Sequence, residues 1–124
     1  MASFRPFENA LRDYLVSRTR NQNDLAASIR KYGNIRFSIN PRKYNRPHFI
    51  IRMGISEAAF DIDTGLILSG GLGPESNEVK NWVSKYLKKT EMKTIWQGEN
   101  KKFEQELERE ERIQEANQKR KNNL

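Results

Sequence analysis

An α+β fold is predicted by three features of the apolar pattern. Apolar residues recur at helical spacing over residues 6–18 and 23–33, alternate with polar ones from residue 35, and return to helical spacing from residue 75. Short segments bearing glycine, proline and aspartate separate four strand-like runs, so the middle of the chain reads as an antiparallel meander. A length of 124 residues suits one domain or one domain plus a tail. With 35% hydrophobic and 31% charged residues and a mean hydropathy of −0.92, part of the chain supplies a core and another part stays solvated.

In the first helix Phe7, Leu11, Tyr14 and Leu15 share one stripe, Pro6 stands in the first turn, and Arg12, Asp13 and Arg18 face away. A second helix is expected from the cap Asn23, with Leu25, Ile29 and Tyr32 inward and Gly33 as its stop. Two successive short helices invite comparison with a helix-turn-helix reader, but Asp24, Leu25, Ala26 and Ala27 offer little that reaches a base. Ile35, Phe37 and Ile39 alternate with polar neighbours as a first strand, which Pro41 ends. The basic segment PRKYNRP leads into HFIIRM, whose nearly continuous apolar run suits a central strand. Gly54 marks a turn, SEAAFDI makes a third strand, DTG a tight turn and LILS a fourth strand, with GGLGP breaking the sheet.

Residues 75–89 form an amphipathic helix with Val79, Trp82, Val83, Tyr86 and Leu87 toward the sheet, and a shorter helical piece carries Met92, Ile95 and Trp96. Beyond Gly98 apolar residues are few, and Glu and Lys or Arg at three- and four-residue spacings support a solvated helix or a frayed charged tail. The expected organisation is an N-terminal helical extension over residues 1–33, an α+β core over 34–98 and a charged helix or tail over 99–124.

The net charge of +7 is unevenly placed. Residues 1–52 hold eleven Lys and Arg against three acids, residues 53–100 five against seven, and the remainder seven against six. Arginine outnumbers lysine nine to two in the basic part, and its planar fork suits phosphate and carboxylate partners. Two readings are open: contact with nucleic acid or an acidic protein face, or a solvated surface that maintains solubility. The absence of cysteine and the single histidine exclude disulfides, thiol catalysis and a cysteine/histidine zinc site, and no cofactor or metal is expected. The N-terminus lacks the apolar core of a signal peptide and no apolar run approaches a membrane span, so a cytoplasmic protein without membrane association is expected.

His48 lies beside Arg42, Lys43, Arg46 and Arg52 and is the candidate catalytic residue, with a structural or binding role as the alternative. Arg36, Arg42, Lys43, Arg46 and Arg52, with Tyr44 for stacking, are the candidate contacts to nucleic acid or an acidic partner. Tyr32 and Phe49 are further stacking candidates, Phe49 being equally a core residue. Asp61 and Asp63, two apart in FDIDTG, share a face in a regular strand and can hold a divalent ion, but Gly65 does not fit a calcium loop and a plain hairpin is the other reading. SGGLGPES precedes a helix without a complete phosphate-loop pattern, which leaves capping by its own polar residues as its role.

Residues 35–98 resemble a small uncharacterised bacterial domain family. Its members carry asparagine and prolines before His-Phe-His, a hairpin with Ile-x-Thr-Gly, a glycine-bearing turn and a tryptophan-containing helix that ends near a second tryptophan. The shared positions here are Asn45, Pro47, His48, Phe49, Asp63, Thr64, Gly65, Gly71, Val79, Trp82 and Trp96. Ile50 replaces the second histidine, so a paired-histidine site is halved in this chain. The resemblance implies a small α+β protein in a toxin–antitoxin-like gene pair, with a protein partner and an RNA or DNA target, and it carries over no reaction. The expectation is a basic binding module of bacterial or phage origin that contacts nucleic acid, a protein partner or both, in a toxin–antitoxin or host-defence setting. The alternatives are a metal-independent ribonuclease centred on His48 and a protein-directed inhibitor or antitoxin that binds no nucleic acid.

Overall fold

The computed structural model describes residues 3–18 and 32–122, with side chains to residue 119, and its class is α+β. Helix α1 (Arg5–Ser17) is followed by strands β1 (Ile35–Ser38), β2 (His48–Met53), β3 (Ser56–Asp61) and β4 (Ile67–Gly71). A single 3-10 turn (Gly73–Glu75), α2 (Ser76–Lys85) and α3 (Lys89–Asn122) complete the described chain. The second N-terminal helix expected from Asn23 lies outside the described residues except for its end, where residues 32–34 form a turn.

The four strands pair antiparallel in chain order, β1-β2-β3-β4, as a meander. The β2–β3 connection is the two-residue hairpin Gly54-Ile55, with Met53 opposite Ser56. Only Gly54 of the two has positive φ, at 63°, the arrangement of a II′ turn that matches the twist of its strands. Strand β4 differs from the expected LILS. Leu66 stays outside it, 67% exposed, and pairing continues through Gly70 and Gly71 against Ala58 and Glu57. Gly70 permits this, because its φ is 76° and a Cβ there would stand 2.1 Å from the Glu57 carbonyl oxygen.

One face of the sheet carries the core. Phe37, Phe49 and Phe60 stack across three strands with ring centroids 5.8 and 5.3 Å apart, Phe7 of α1 extends the row at 6.2 Å, and Trp82 of α2 meets Phe37 edge-on at 6.0 Å. Phe7, Leu11 and Leu15 of α1 and Val79, Trp82 and Val83 of α2 are buried in the same cluster, so α1 is part of the core that encloses the sheet. Each such side chain removed from water contributes about 1.5–3 kcal/mol. Glu8 of α1 also accepts the backbone N–H of Phe37 at 2.8 Å, satisfying a donor on the sheet's outer strand β1.

Two expectations for the C-terminal part are corrected. Helix α2 ends at Lys85, four residues before the expected stop, and Tyr86 turns out at 60% exposure to lie 5.5 Å from the Tyr14 ring, while Leu87 is buried beyond the helix end. The piece bearing Met92 and the charged segment after Gly98 form one continuous helix of 34 residues. Its first turns enter the core through Met92, with Ile95 and Trp96 packed alongside. Side chains from residue 108 to 119 are all exposed. At about 1.5 Å per residue α3 is about 50 Å long. No helix among the described residues is long and apolar enough to cross a membrane.

Candidate functional site

The face opposite the core is built by cross-strand register. Ser38, Ile50, Ala59 and Ser69 form one row, and Arg36, Arg52, Glu57 and Gly71 the next. His48 and Asp61 pair at the end of the same face. Ile50 and Ala59 are only 7% and 2% exposed, and residues of the 40–46 loop stand over this part of the sheet.

His48 and Asn40 hold that loop. The buried His48 ring accepts the Asn40 backbone N–H at Nε2 (2.9 Å) and its Nδ1–H donates to the Arg46 carbonyl (2.7 Å), which fixes the proton on Nδ1. Burial disfavours the imidazolium and pushes the His48 pKa below its ordinary 6.5, against a smaller upward pull from the Arg46 carbonyl. With both nitrogens engaged and no exposed surface, the ring has no lone pair to offer a substrate. Asn40 closes the turn with its own carbonyl, which accepts the N–H of Tyr44 at 3.0 Å, while its side-chain oxygen accepts that of Lys43 at 3.2 Å. Tyr44 lies 4.9 Å from the His48 ring and its hydroxyl bonds Ser69 of β4, tying the loop to the far strand.

The candidate cations divide by partner. Arg46 bonds Asp61 at 2.5 Å, its own side chain 55% exposed and that of Asp61 4%. Burial alone would raise the Asp61 pKa, but the Thr64 N–H at 2.9 Å and the Arg46 charge outweigh it and hold the carboxyl below its ordinary 3.8. Arg42 reaches α3, 3.3 Å from Glu110 and 5.2 Å over the Phe103 ring. Lys43 lies over Tyr44 at 5.4 Å and makes no ion pair among the described residues. Arg36 and Arg52 stand opposite each other, exposed, on β1 and β2, and Arg36 bonds the neighbouring carbonyl of Ile35.

The remaining candidates are structural. Phe49 is wholly inside the core and the Tyr32 hydroxyl bonds Glu75 at 3.4 Å. Asp61 ends β3 whereas Asp63 lies in the following turn and pairs with Lys93 at 3.1 Å, so the regular-strand premise for a shared ion site fails. No group of three or more metal-ligating side chains occurs among the described residues. The capping expected of SGGLGPES is not realised: Glu75, at the N-cap of α2, makes no side-chain cap hydrogen bond, and Ser76 instead accepts the Leu72 N–H at 3.0 Å.

Between the loop and the sheet lies a cleft of about 440 Å³. Ile50 and Ala59 line it at its apolar part, Tyr44 and Lys43 on the loop side and Glu57 and Ser69 on the strand side. Such a volume falls within the usual range of ligand clefts, about 300–1,000 Å³. Ile50 thus belongs to the cleft. The strand register, and not the sequence, places Ile50 and Glu57 on one side of the sheet, and the sequence carried no sign that a loop turns that side into a concave site. Comparison with protein-family models, curated proteins and solved structures finds no match to this chain.

Proposed function

We propose that this protein is a binding module that takes a strand of nucleic acid across the outer sheet face, along Arg36, Arg52 and Lys43. The observation that carries this reading is the fixed 40–46 loop. A buried neutral histidine, a hydroxyl bond to β4 and the Arg46–Asp61 pair hold a basic segment against a face that already presents two facing arginines. Facing like charges oppose each other by a few tenths of a kcal/mol or more; Glu57, opposite Arg52 in the same row, offsets part of this, and a polyanion relieves the rest. Arg46 supports the loop through Asp61 and Arg42 is engaged with α3, so the working cations are Arg36, Lys43 and Arg52. A ribonuclease centred on His48 receives no support, since general-base catalysis needs an accessible lone pair.

The test is binding of a labelled 12-nucleotide strand as a function of salt, for the unaltered protein and for R36A/K43A/R52A. Affinity is expected to fall with rising salt, with a log–log slope of about −0.7 per phosphate neutralised on a single strand, and the triple variant should flatten it by about two units. Binding indifferent to salt and to the three replacements overturns the reading.

A second reading rests on α3. Its exposed end beyond residue 107, with Ile113 at 60% exposure, offers a charged helix to a protein partner, as an inhibitor or antitoxin requires. A stoichiometric protein complex lost on removing residues 108–124, with no nucleic-acid binding at any salt, is its signature.

A further inference from the structure

We infer that the groove between α1 and the outer edge of β1 is a site for one phosphate group, held by Arg5, Arg12 and Arg36; its source, a phosphodiester of the bound strand, rests on the nucleic-acid reading above. Arg5 and Arg12 stand seven residues apart, about two helical turns, and so share one side of α1. Phe7, Leu11 and Leu15 bury another side of that helix in the core, and Glu8, between the two arginines, reaches the Phe37 N–H of β1 at 2.8 Å. Arg36 comes from β1 itself. Because β1 is the outermost strand, Arg36 belongs both to the outer-face row with Arg52 and to the edge that faces α1.

Two clefts, of about 150 and 370 Å³, share Arg5, Glu8 and Arg36, and Arg12 lines the smaller. The smaller lies below the range of about 300–1,000 Å³ usual for a whole ligand, which suits it to a single group. Its charge is not balanced by the protein. Arg5 and Arg36 make no ion pair among the described residues, and Arg12 has only a 3.7 Å contact with its neighbour Asp13, whose side chain is 76% exposed, a pair of little worth. Among the described residues Glu8 is the carboxylate lining both clefts, and its Oε2 is committed to Phe37. Three guanidiniums against one carboxylate leave a positive surplus, and each planar fork can donate paired N–H bonds to phosphate oxygens. Contacts of this kind carry no sequence information, so the site adds affinity without base preference. A strand crossing the outer face along Lys43, Arg52 and Arg36 meets this further phosphate contact at the β1 edge.

The experiment repeats the salt titration of the 12-nucleotide strand with R5A/R12A and with E8Q. It also follows the unfolding midpoint of each protein with and without millimolar inorganic phosphate at constant ionic strength, the midpoints without phosphate establishing folding. R5A/R12A should flatten the log–log slope by about 0.7, one phosphate of a single strand, equally for uridine and adenosine strands. E8Q keeps an oxygen for the Phe37 N–H and removes the opposing charge, so it should tighten binding about threefold at low salt. A slope that falls with R36A/K43A/R52A but is unchanged in R5A/R12A, with E8Q binding no tighter, overturns the site and leaves the outer-face reading standing. Absence of binding to any strand at low salt overturns that reading instead. Phosphate that then still raises the midpoint of the unaltered protein, and not that of R5A/R12A, keeps the site with a free phosphate group as its ligand; a midpoint indifferent to phosphate overturns the site as well.

Discussion

The Nε2 atom of His48 accepts the backbone N–H of Asn40 at 2.9 Å, across eight residues of sequence, and this bond couples the start of β2 to the start of the basic loop. Its partner bond, from Nδ1–H to the Arg46 carbonyl, couples the same ring to the loop's end. One side chain therefore spans the loop, and only its neutral form can do so, because an imidazolium has no acceptor for Asn40.

This makes stability depend on pH. The folded pKa of His48 lies below the unfolded 6.5, so between the two values the unfolded chain binds more protons and stability rises with pH. The contribution is fully present above about 6.5 and is lost as pH falls from there toward the folded value. Urea midpoints should decline from pH 7 to 5, and His48→Gln, about 2 kcal/mol less stable through its unmatched bonds, should be flatter over that range. An equal decline in both proteins contradicts the role given to His48.

The Arg46–Asp61 pair acts at lower pH. The Asp61 pKa is held below 3.8, so its stabilisation is present above that value and is lost as pH falls through the folded value. Asp61→Asn should remove part of the acid limb of the stability curve. Arg46→Ala, whose guanidinium is half hydrated, should cost about 1 kcal/mol at neutral pH, well short of the loss expected for a fully buried pair. Equilibrium unfolding at pH 3, 4 and 7 distinguishes the two variants.

Gly70→Ala should be among the most damaging single-atom additions. The new Cβ meets the Glu57 carbonyl oxygen at 2.1 Å in a left-handed backbone, so the β3–β4 ladder must open. A loss of about 3 kcal/mol is expected from strain and broken pairing together. Gly54→Ala is the control, because it shares the positive φ with nothing within 4 Å of its Cβ, and should cost about 1 kcal/mol.

The two ends of the chain should respond oppositely. Leu11→Ala empties a wholly buried site facing the sheet and should cost about 3 kcal/mol. Among the described residues, ending the chain after Leu107 removes exposed side chains over 108–119 and the Arg42–Glu110 contact, and should change the unfolding free energy by less than about 0.5 kcal/mol. Thermal unfolding of both proteins checks the pair.

Helical and two-residue periodicities determined the α+β class, the meander order and nearly all the buried residues of α1, β2 and α2, because each records which side of a local element faces apolar surroundings. The same local signals stopped short where the chain doubles back. Nothing in PRKYNRP shows that Arg46 meets Asp61, that Arg42 leans on Phe103, seven residues past Trp96 in α3, or that Tyr44 reaches Ser69. The apolar stripe points Tyr86 inward only if the helix continues past Lys85, where it stops, and Gly70 looks like a break because its close approach to Glu57 is invisible without the neighbouring strand. Sequence thus determined the faces of each element and the surplus of arginine in the first 52 residues. Tertiary structure decided which of those charges are already paired, and it made His48 a buried clasp, because ion pairing and desolvation depend on groups brought together from distant positions in the chain.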